Sequence, residues 1–134
     1  MIKNEKIGRS TEERIANFFN ENRFWAHIIP KGINGQPFDI IARRKNQVWF
    51  IDAKHLIEKK ASFPFERIES NQETSMDYAK IVAEIEDNMG FVIEWERTGK
   101  FYYLSHKLFK EMKKNGEKSV KIESLSLLED LICK

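Results

Sequence analysis

The sequence predicts an α/β fold in which helices flank a mixed central β-sheet. Three observations support this fold class. The apolar patterns run in the order helix, three strands, helix, two strands and then short helical elements. The chain has 134 residues, enough to bury one core, so we expect a single domain over residues 1–134. Its 41% hydrophobic and 33% charged residues are typical of a globular protein.

The first helix is predicted to begin near Ser10. Ser10 and Glu13 have the spacing of a capping box, and apolar residues follow them at helical intervals. Residues 24–29 are apolar and aromatic enough for a strand. Residues 30–36 contain two glycines and an Asn-Gly pair, which predicts a loop.

Two strand-like runs, residues 37–43 and 48–54, predict a hairpin, and no clear period follows in residues 55–68. Residues 70–88 have helical periodicity, and Gly90 is expected to end that helix. Residues 91–95 and 101–104 flank a turn-forming segment and predict a second hairpin.

The last part of the chain predicts three short elements. Ser105 is expected to cap a helix that reaches about Lys114. Val120 and Ile122 indicate a short strand, and residues 125–132 indicate a last helix.

Composition narrows the class of protein. No apolar run approaches the ~20 residues of a membrane span, and the charged start of the chain does not resemble a signal peptide. The one cysteine, Cys133, cannot form an intramolecular disulfide. We therefore expect a cytoplasmic protein without a membrane partner.

The net charge is only +2, from 23 basic and 21 acidic residues, so a phosphate-binding surface would have to come from local clusters. The candidates are Arg43-Arg44-Lys45, Lys59-Lys60 and Lys113-Lys114. Taken singly, each cluster is more often a solvated turn or helix end.

The first hairpin contains the most informative residues. If Lys45-Asn46 forms a two-residue turn, Asp39 lies directly opposite Asp52, and Lys54 shares the face of Asp52. Directly opposed side chains lie about 4.5–5.5 Å apart at Cβ. Two carboxylates at that separation, within apolar strands, would repel unless a cation lies between them.

Mg²⁺ suits such a pair because it prefers oxygen ligands and binds through one or two carboxylates plus water and phosphate. Lys54 could then orient or deprotonate a water, or neutralise charge on a phosphate. The alternative is an ordinary surface ion pair between Lys54 and Asp52.

Pro37-Phe38-Asp39 followed by Asp52-Ala53-Lys54 resembles the signature of the PD-(D/E)xK nucleases. Within that superfamily the chain is most similar to Holliday junction resolvases of the RecU type. The similarity runs from about Gly8 to Phe109 and includes Gly8 to Glu12, Phe63-Pro64 and Asn71-Gln72. It also includes the two strand-like runs around Val92 and Tyr103.

The resemblance implies a restriction-endonuclease-like core and metal-dependent hydrolysis of DNA. Asp39, Asp52 and the carbonyl of Ala53 would hold Mg²⁺, with Mn²⁺ as a substitute, and Lys54 would act on the water. An acidic residue of the first helix would complete the shell. Capping already accounts for Glu13, and Glu12 lies on the sheet-facing side, so we favour Glu12.

The resemblance also implies that Gln72 assists at the site, although an exposed helix residue is the alternative. The basic residues expected to contact DNA are Arg43, Arg44, Lys45, Lys59, Lys60 and Arg67. A homodimer is implied because resolvases cut two strands symmetrically.

The chain departs from the RecU pattern in two places. About seven residues precede the predicted first helix, and only a short Gly-Ile-Asn-Gly loop precedes Asp39, where those resolvases have a longer arm and a stalk. Two other functions therefore stay open. One is a nuclease acting on duplex or single-stranded ends, and the other is a non-catalytic module that binds DNA or a partner.

Overall fold

The structure is a computed structural model that describes residues 2–31, 36–84 and 88–133, with side chains from residue 10 onward. Its elements are α1 (Ile2–Glu21), β1 (Trp25–Ile28), β2 (Ile40–Arg44), β3 (Gln47–Leu56), β4 (Ser62–Pro64), α2 (Ser70–Val82), β5 (Met89–Trp95), β6 (Lys100–Ser105), α3 (His106–Lys114), β7 (Ser119–Lys121), β8 (Ser126–Leu127) and α4 (Leu128–Ile132). Single 3-10 turns cover Phe65–Arg67 and Ile122–Ser124.

A six-stranded sheet forms the centre of the molecule, with strand order β1-β2-β3-β5-β6-β8. The β3–β5 pair is parallel and the other pairs are antiparallel. A parallel pair needs a crossover connection, and α2 lies in the one between β3 and β5. Strands β4 and β7 form a separate two-stranded sheet. The prediction of a mixed sheet flanked by helices is therefore confirmed.

The first hairpin has the predicted register. Ile40 pairs with Ile51 and Arg44 with Gln47, so Lys45 and Asn46 form a two-residue turn. Lys45 has a φ of 52°, the left-handed conformation that short hairpin turns use. The register assumed from the sequence is therefore confirmed for the whole β2–β3 ladder.

Apolar side chains cover both faces of the sheet. Trp49 and Ile51 of β3 face α1, where Ile15 and Phe19 complete one cluster. Residues of the opposite face pack with Met76 of α2, Phe109 of α3 and other members of the second cluster, such as Phe63, Phe91 and Leu104. Among the helices of the described ranges, none is long and apolar enough to cross a bilayer.

The prediction for the start of α1 was wrong. The helix begins at Ile2, so Ser10 lies inside it and cannot act as an N-cap. Residues 2–9 include several good helix formers, and Gly8 in their midst costs only about 1 kcal/mol relative to Ala. The proposed capping role of Glu13 is thereby removed.

Other boundaries also differ from the predictions. Helix α2 ends at Val82, and residues 32–35 of the predicted loop and 85–87 of the predicted helix lie outside the described residues. The tail predicted as a helix begins with β8, and Ile122 leaves its strand for a 3-10 turn. The cap of α3 is confirmed, because Leu108 N donates to Ser105 Oγ at 3.0 Å.

The prediction that Gly90 ends a helix was wrong. Gly90 lies in β5 opposite Ser105. A Cβ at this position would lie 2.4 Å from Leu104 O and 2.8 Å from His106 N. Both atoms belong to backbone and cannot move aside. Close approach of β6 and the start of α3 therefore requires glycine here.

We expect Gly90→Ala to lower the free energy of unfolding by about 3 kcal/mol, because the added methyl group overpacks against backbone. Gly99→Ala is the matched control, since Gly99 has a φ of 67° but open space around it. Its strain should cost about 1 kcal/mol. Urea unfolding of both variants measures the difference, and equal losses would contradict the steric explanation.

Candidate active site

Asp39 and Asp52 lie side by side where β2 begins. The Asp39 N–H donates to Ile51 O at 2.8 Å, and Asp39 Oδ2 accepts a hydrogen bond from Ala53 N at 2.9 Å. Asp52 belongs to β3 and is only 2% exposed. The side chain of Asp39 thus takes the place of a backbone acceptor for Ala53, which holds its carboxylate at the end of the ladder.

Lys54 and Gln72 complete a small polar cluster around Asp52. Lys54 Nζ lies 3.0 Å from Asp52 Oδ2 and donates to Gln72 Oε1 at 3.1 Å. Gln72 Nε2 donates to Asp52 Oδ1 at 2.5 Å. The first turn of α2 therefore brings Gln72 to the two residues that the sequence placed on one face of β3.

The surroundings of Asp52 disfavour its charged form. Burial raises the pKa of its carboxyl well above the usual range; Lys54 opposes this effect and Asp39 adds to it. Asp52 Oδ2 is fully buried and accepts no well-formed hydrogen bond from the described residues, although Lys54 Nζ is near. Lys54 offsets part of the cost of the charged Asp52 carboxylate, and a bound divalent cation would offset it further.

The donor set is that of a hard cation. The site offers the carboxylates of Asp39 and Asp52. Ala53, which follows Asp52 in β3, donates its N–H to Asp39. The N–H and C=O of one strand residue point to the same side of the strand, so we expect the Ala53 carbonyl on the side of Asp39. No three His, Cys, Asp or Glu side chains within the described ranges converge on one metal position. Mg²⁺ fits, because it keeps several waters beside one or two carboxylates.

Glu12 is the acidic residue of α1 that faces this region. It is 6% exposed, whereas Glu13 is exposed. Lys31 Nζ forms an ion pair with Glu12 Oε1 at 2.9 Å. Hydrogen bonding to Glu12 raises the pKa of Lys31, and Asp39 and Asp52 add to the effect. Burial thus favours Glu12 over Glu13, although the capping argument for that choice was wrong.

Lys31 was not identified from the sequence. It lies in the predicted glycine-containing loop and is largely exposed, so no pattern distinguishes it from a solvated lysine. Its electrostatic coupling to both aspartates depends on how α1 and the hairpin come together.

The predicted DNA-contacting residues lie in different places. Arg43 and Lys45 are at the hairpin tip, and Arg43 is four strand positions, or about 14 Å, from Asp39. Lys59 and Lys60 are exposed in the turn after β3. These positions are compatible with a nucleic-acid surface but do not adjoin the carboxylates directly.

Arg67 lies closer to the site. It donates to His55 O and stacks over the Phe63 ring at 5.3 Å. Burial lowers its pKa, and the charge of Asp52 opposes that effect. Arg67 is therefore within electrostatic reach of Asp52.

Two of the basic residues have structural partners. Arg44 donates to Asn22 O at 3.0 Å and Ile132 O at 2.7 Å, and its guanidinium lies 4.4 Å from the Phe24 ring centroid. Lys113 pairs with Glu73 at 2.6 Å. The Arg44 guanidinium ties the end of α1 to α4, so we remove Arg44 from the expected DNA surface.

A buried carboxylate that the sequence analysis did not identify attaches α1 to the sheet. Glu94 of β5 accepts from Thr11 Oγ1 at 2.9 Å, Arg14 Nε at 2.5 Å and Arg14 Nη2 at 2.7 Å. Burial would raise the pKa of Glu94, but the bonds from Arg14 and Thr11 outweigh it and the pKa is lowered. Glu12 lies between the two donors in sequence, so this clamp sets the rotation of α1 that turns Glu12 inward.

Comparisons with known proteins define the fold. No protein-family model matches the sequence, and no curated protein sequence matches it. The solved structure of Hjc from Archaeoglobus fulgidus, a Holliday junction resolvase from an archaeal hyperthermophile, matches with a TM-score of 0.66. The alignment covers 95% of this chain and 96% of that chain at 14% sequence identity. The chain therefore shares the fold of that resolvase, and the predicted restriction-endonuclease-like α/β fold is confirmed.

We expect Glu94→Gln to lower the free energy of unfolding by about 2 kcal/mol at pH 7, since Arg14 loses a charged acceptor. The pKa of Glu94 is lower in the folded chain, so its stabilisation is complete above the unfolded pKa and is lost as the pH falls through the folded value. The difference between wild type and variant should therefore shrink on acidification. Glu129→Gln, at a half-exposed ion pair with Lys100, is the control and should change stability little.

Proposed function

We propose that the chain is a metal-dependent endonuclease that hydrolyses phosphodiester bonds in DNA, and that its substrate is a four-way junction. One observation carries this proposal. The buried Asp52 and the half-buried Asp39 lie at the end of the hairpin of a resolvase-type fold, with Lys54 and Gln72 in contact with Asp52.

The residues that would hold Mg²⁺, or Mn²⁺ in its place, are Asp39, Asp52 and the carbonyl of Ala53. Glu12 would join through water once Lys31 is displaced from it. When bound, the cation would supply positive charge to the phosphate and lower the pKa of a coordinated water. The buried Oδ2 of Asp52 supports this assignment, because its contact with Lys54 Nζ at 3.0 Å is not a well-formed hydrogen bond and a bound cation would stabilise the charged carboxylate further.

Residues of the chain would position the reacting groups and attract the DNA backbone. Gln72 bridges Lys54 Nζ and Asp52 Oδ1, so it keeps the ammonium group beside the carboxylates. The Lys54 ammonium group can then donate hydrogen bonds to a phosphate oxygen and to the oxygen of the attacking water, which it would orient. Lys31 and Arg67 lie within electrostatic range of Asp52 and would attract the phosphate backbone.

The junction substrate and the homodimer belong to the same proposal. Hjc, which shares the fold, is a Holliday junction resolvase. A four-way junction presents two equivalent strands, so a two-fold symmetric pair of chains is the simplest arrangement that cuts both. The finer likeness to RecU-type resolvases stays a prediction.

Mg²⁺ should stabilise the folded protein through Asp52. At a hundredfold excess over Kd the expected gain is about 2.7 kcal/mol. Because the pKa of Asp52 is raised, protons compete with the cation as the pH falls, so the gain should be larger at pH 8 than at pH 5.5. Thermal unfolding with and without Mg²⁺ measures it. Asp52→Asn should abolish the gain and Asp130→Asn, at an exposed position on α4, should keep it. A gain that survives Asp52→Asn would place the metal elsewhere.

Cleavage of labelled four-way junction, fork, duplex and single-stranded DNA tests the activity. Wild type should cut the junction in Mg²⁺ at paired symmetric positions. Asp52→Asn and Lys54→Ala should each reduce the rate by about 10²–10³-fold. Lys100→Ala, which alters an exposed lysine that pairs with Glu129, is the control.

Each other outcome assigns a different function. Cleavage confined to duplex or single-stranded ends keeps the nuclease and removes the resolvase. An absence of cleavage in Mg²⁺ and Mn²⁺ on all four substrates would indicate a non-catalytic DNA-binding module.

A further inference from the structure

The face of the sheet that carries Asp39 continues outward along β1. Trp25 pairs with Arg43 and His27 with Ile41, and Ile29 N donates to Asp39 O at 2.7 Å. Paired residues of antiparallel strands point to the same face, so Trp25, His27 and Arg43 lie on the face of the candidate site. Ala26 and Ile28, between them, face α1 instead.

The aromatic residues on this face are unusually open. The rings of Trp25 and His27 stack with an interplanar angle of 3° and centroids 5.7 Å apart. Trp25 is 64% exposed, whereas Trp49 and Trp95 are 3% and 2% exposed. A large indole ring left in water at an edge strand is a surface available for contact.

We infer that Trp25, His27 and Arg43, called here the aromatic platform, bind an unpaired nucleobase of the DNA strand whose phosphodiester lies at Asp39 and Asp52. This inference rests on the proposed function and adds to it a recognition element outside the reacting centre. Base–aromatic stacking is indifferent to sequence and requires a base whose face is free.

Charge favours nucleic acid as the occupant. Residues 22–31 and 40–51 contain no acidic residue, while Arg23, Lys31, Arg43 and Lys45 are basic; Arg44 is bound on the other face of the sheet. The Arg43 side chain is exposed, and its Nε makes only a long contact of 3.5 Å with Lys45 O. A second copy docked here about a two-fold axis would bring this basic cluster against itself. A polyanion meets no such repulsion.

The spacing fits a strand that reaches the candidate site. Arg43, the partner of Trp25, is four residues from Asp39, which is about 14 Å along the strand. That span equals about four stacked base steps at about 3.4 Å each. Bases of an intact duplex have their faces covered, so forks, junction centres and single strands are the structures that can offer a free base there.

Intrinsic fluorescence can report this contact, because Trp25 is the exposed tryptophan and Trp49 and Trp95 are buried. The experiment uses the full chain carrying Asp52→Asn, so that cleavage is strongly reduced during titration. The probes are a 20-nucleotide thymidine strand, a fork, a four-way junction and a blunt duplex. The first three should quench the emission, and the blunt duplex should quench it much less.

Variants in the same background assign the signal. Trp25→Ala should remove the quenching and weaken binding of the fork and the single strand about tenfold, with less than a twofold effect on the blunt duplex. Its slope of log K against log salt should be unchanged, whereas Arg43→Ala should reduce the slope by about one. Tyr78→Ala is the matched control, because Tyr78 is 67% exposed on α2 and does not lie on the platform.

Three results would overturn the inference. They are equal quenching by the blunt duplex and the fork, a Trp25→Ala variant that binds every probe as the parent does, and a Trp25→Ala variant that dissociates a dimer in sedimentation. The last result would make the platform an interface between copies. Cleavage by the wild-type chain, measured separately, tests the proposed function. An active enzyme whose fluorescence is not quenched by DNA would contradict the inference about the aromatic platform and leave the proposed function unaffected.

Discussion

Two carboxylates placed next to each other in an apolar sheet are the constraint around which the candidate site is organised. Asp39 lies just before β2 and next to Asp52, and its charge makes the charge of Asp52 more costly. The surrounding groups all reduce that cost. Ala53 N donates to one carboxylate, while Lys54 and Gln72 contact the other. Asp52 Oδ2 nevertheless lacks a proper donor, so the protein alone satisfies the pair only in part.

The helices are positioned by polar contacts as well as by their apolar faces. Helix α2 contributes Gln72 to the aspartate pair, and α1 is held to β5 by Arg14 and Thr11 on Glu94. A buried carboxylate needs several donors to offset its desolvation, and Glu94 has them. This requirement gives α1 a defined rotation, which an apolar interface alone would define less sharply because hydrophobic contact is non-directional.

Basic residues on this chain divide between structure and surface. The Arg44 guanidinium donates to two backbone carbonyls and lies over an aromatic ring, so it ties the end of α1 to α4. Its neighbour Arg43 points to the opposite face and remains exposed. Alternation along a strand explains how adjacent arginines acquire such different roles. The small net charge of +2 therefore conceals an edge of the sheet that is locally basic.

The sequence by itself determined the fold class, the hairpin and its register, because strand alternation and a two-residue turn are local properties. Those properties alone placed Asp39, Asp52 and Lys54 on one face. Only the tertiary structure decided that Gly90 belongs to a strand and that Arg44 binds backbone carbonyls. It also decided that Lys31 pairs with Glu12 and that Glu94 holds α1 to the sheet. Each of these depends on groups that are distant along the chain, such as the backbone of Leu104 near Gly90 or Arg14 on Glu94. Local patterns contain no information about such contacts, because the partners meet only when the helices close over the sheet.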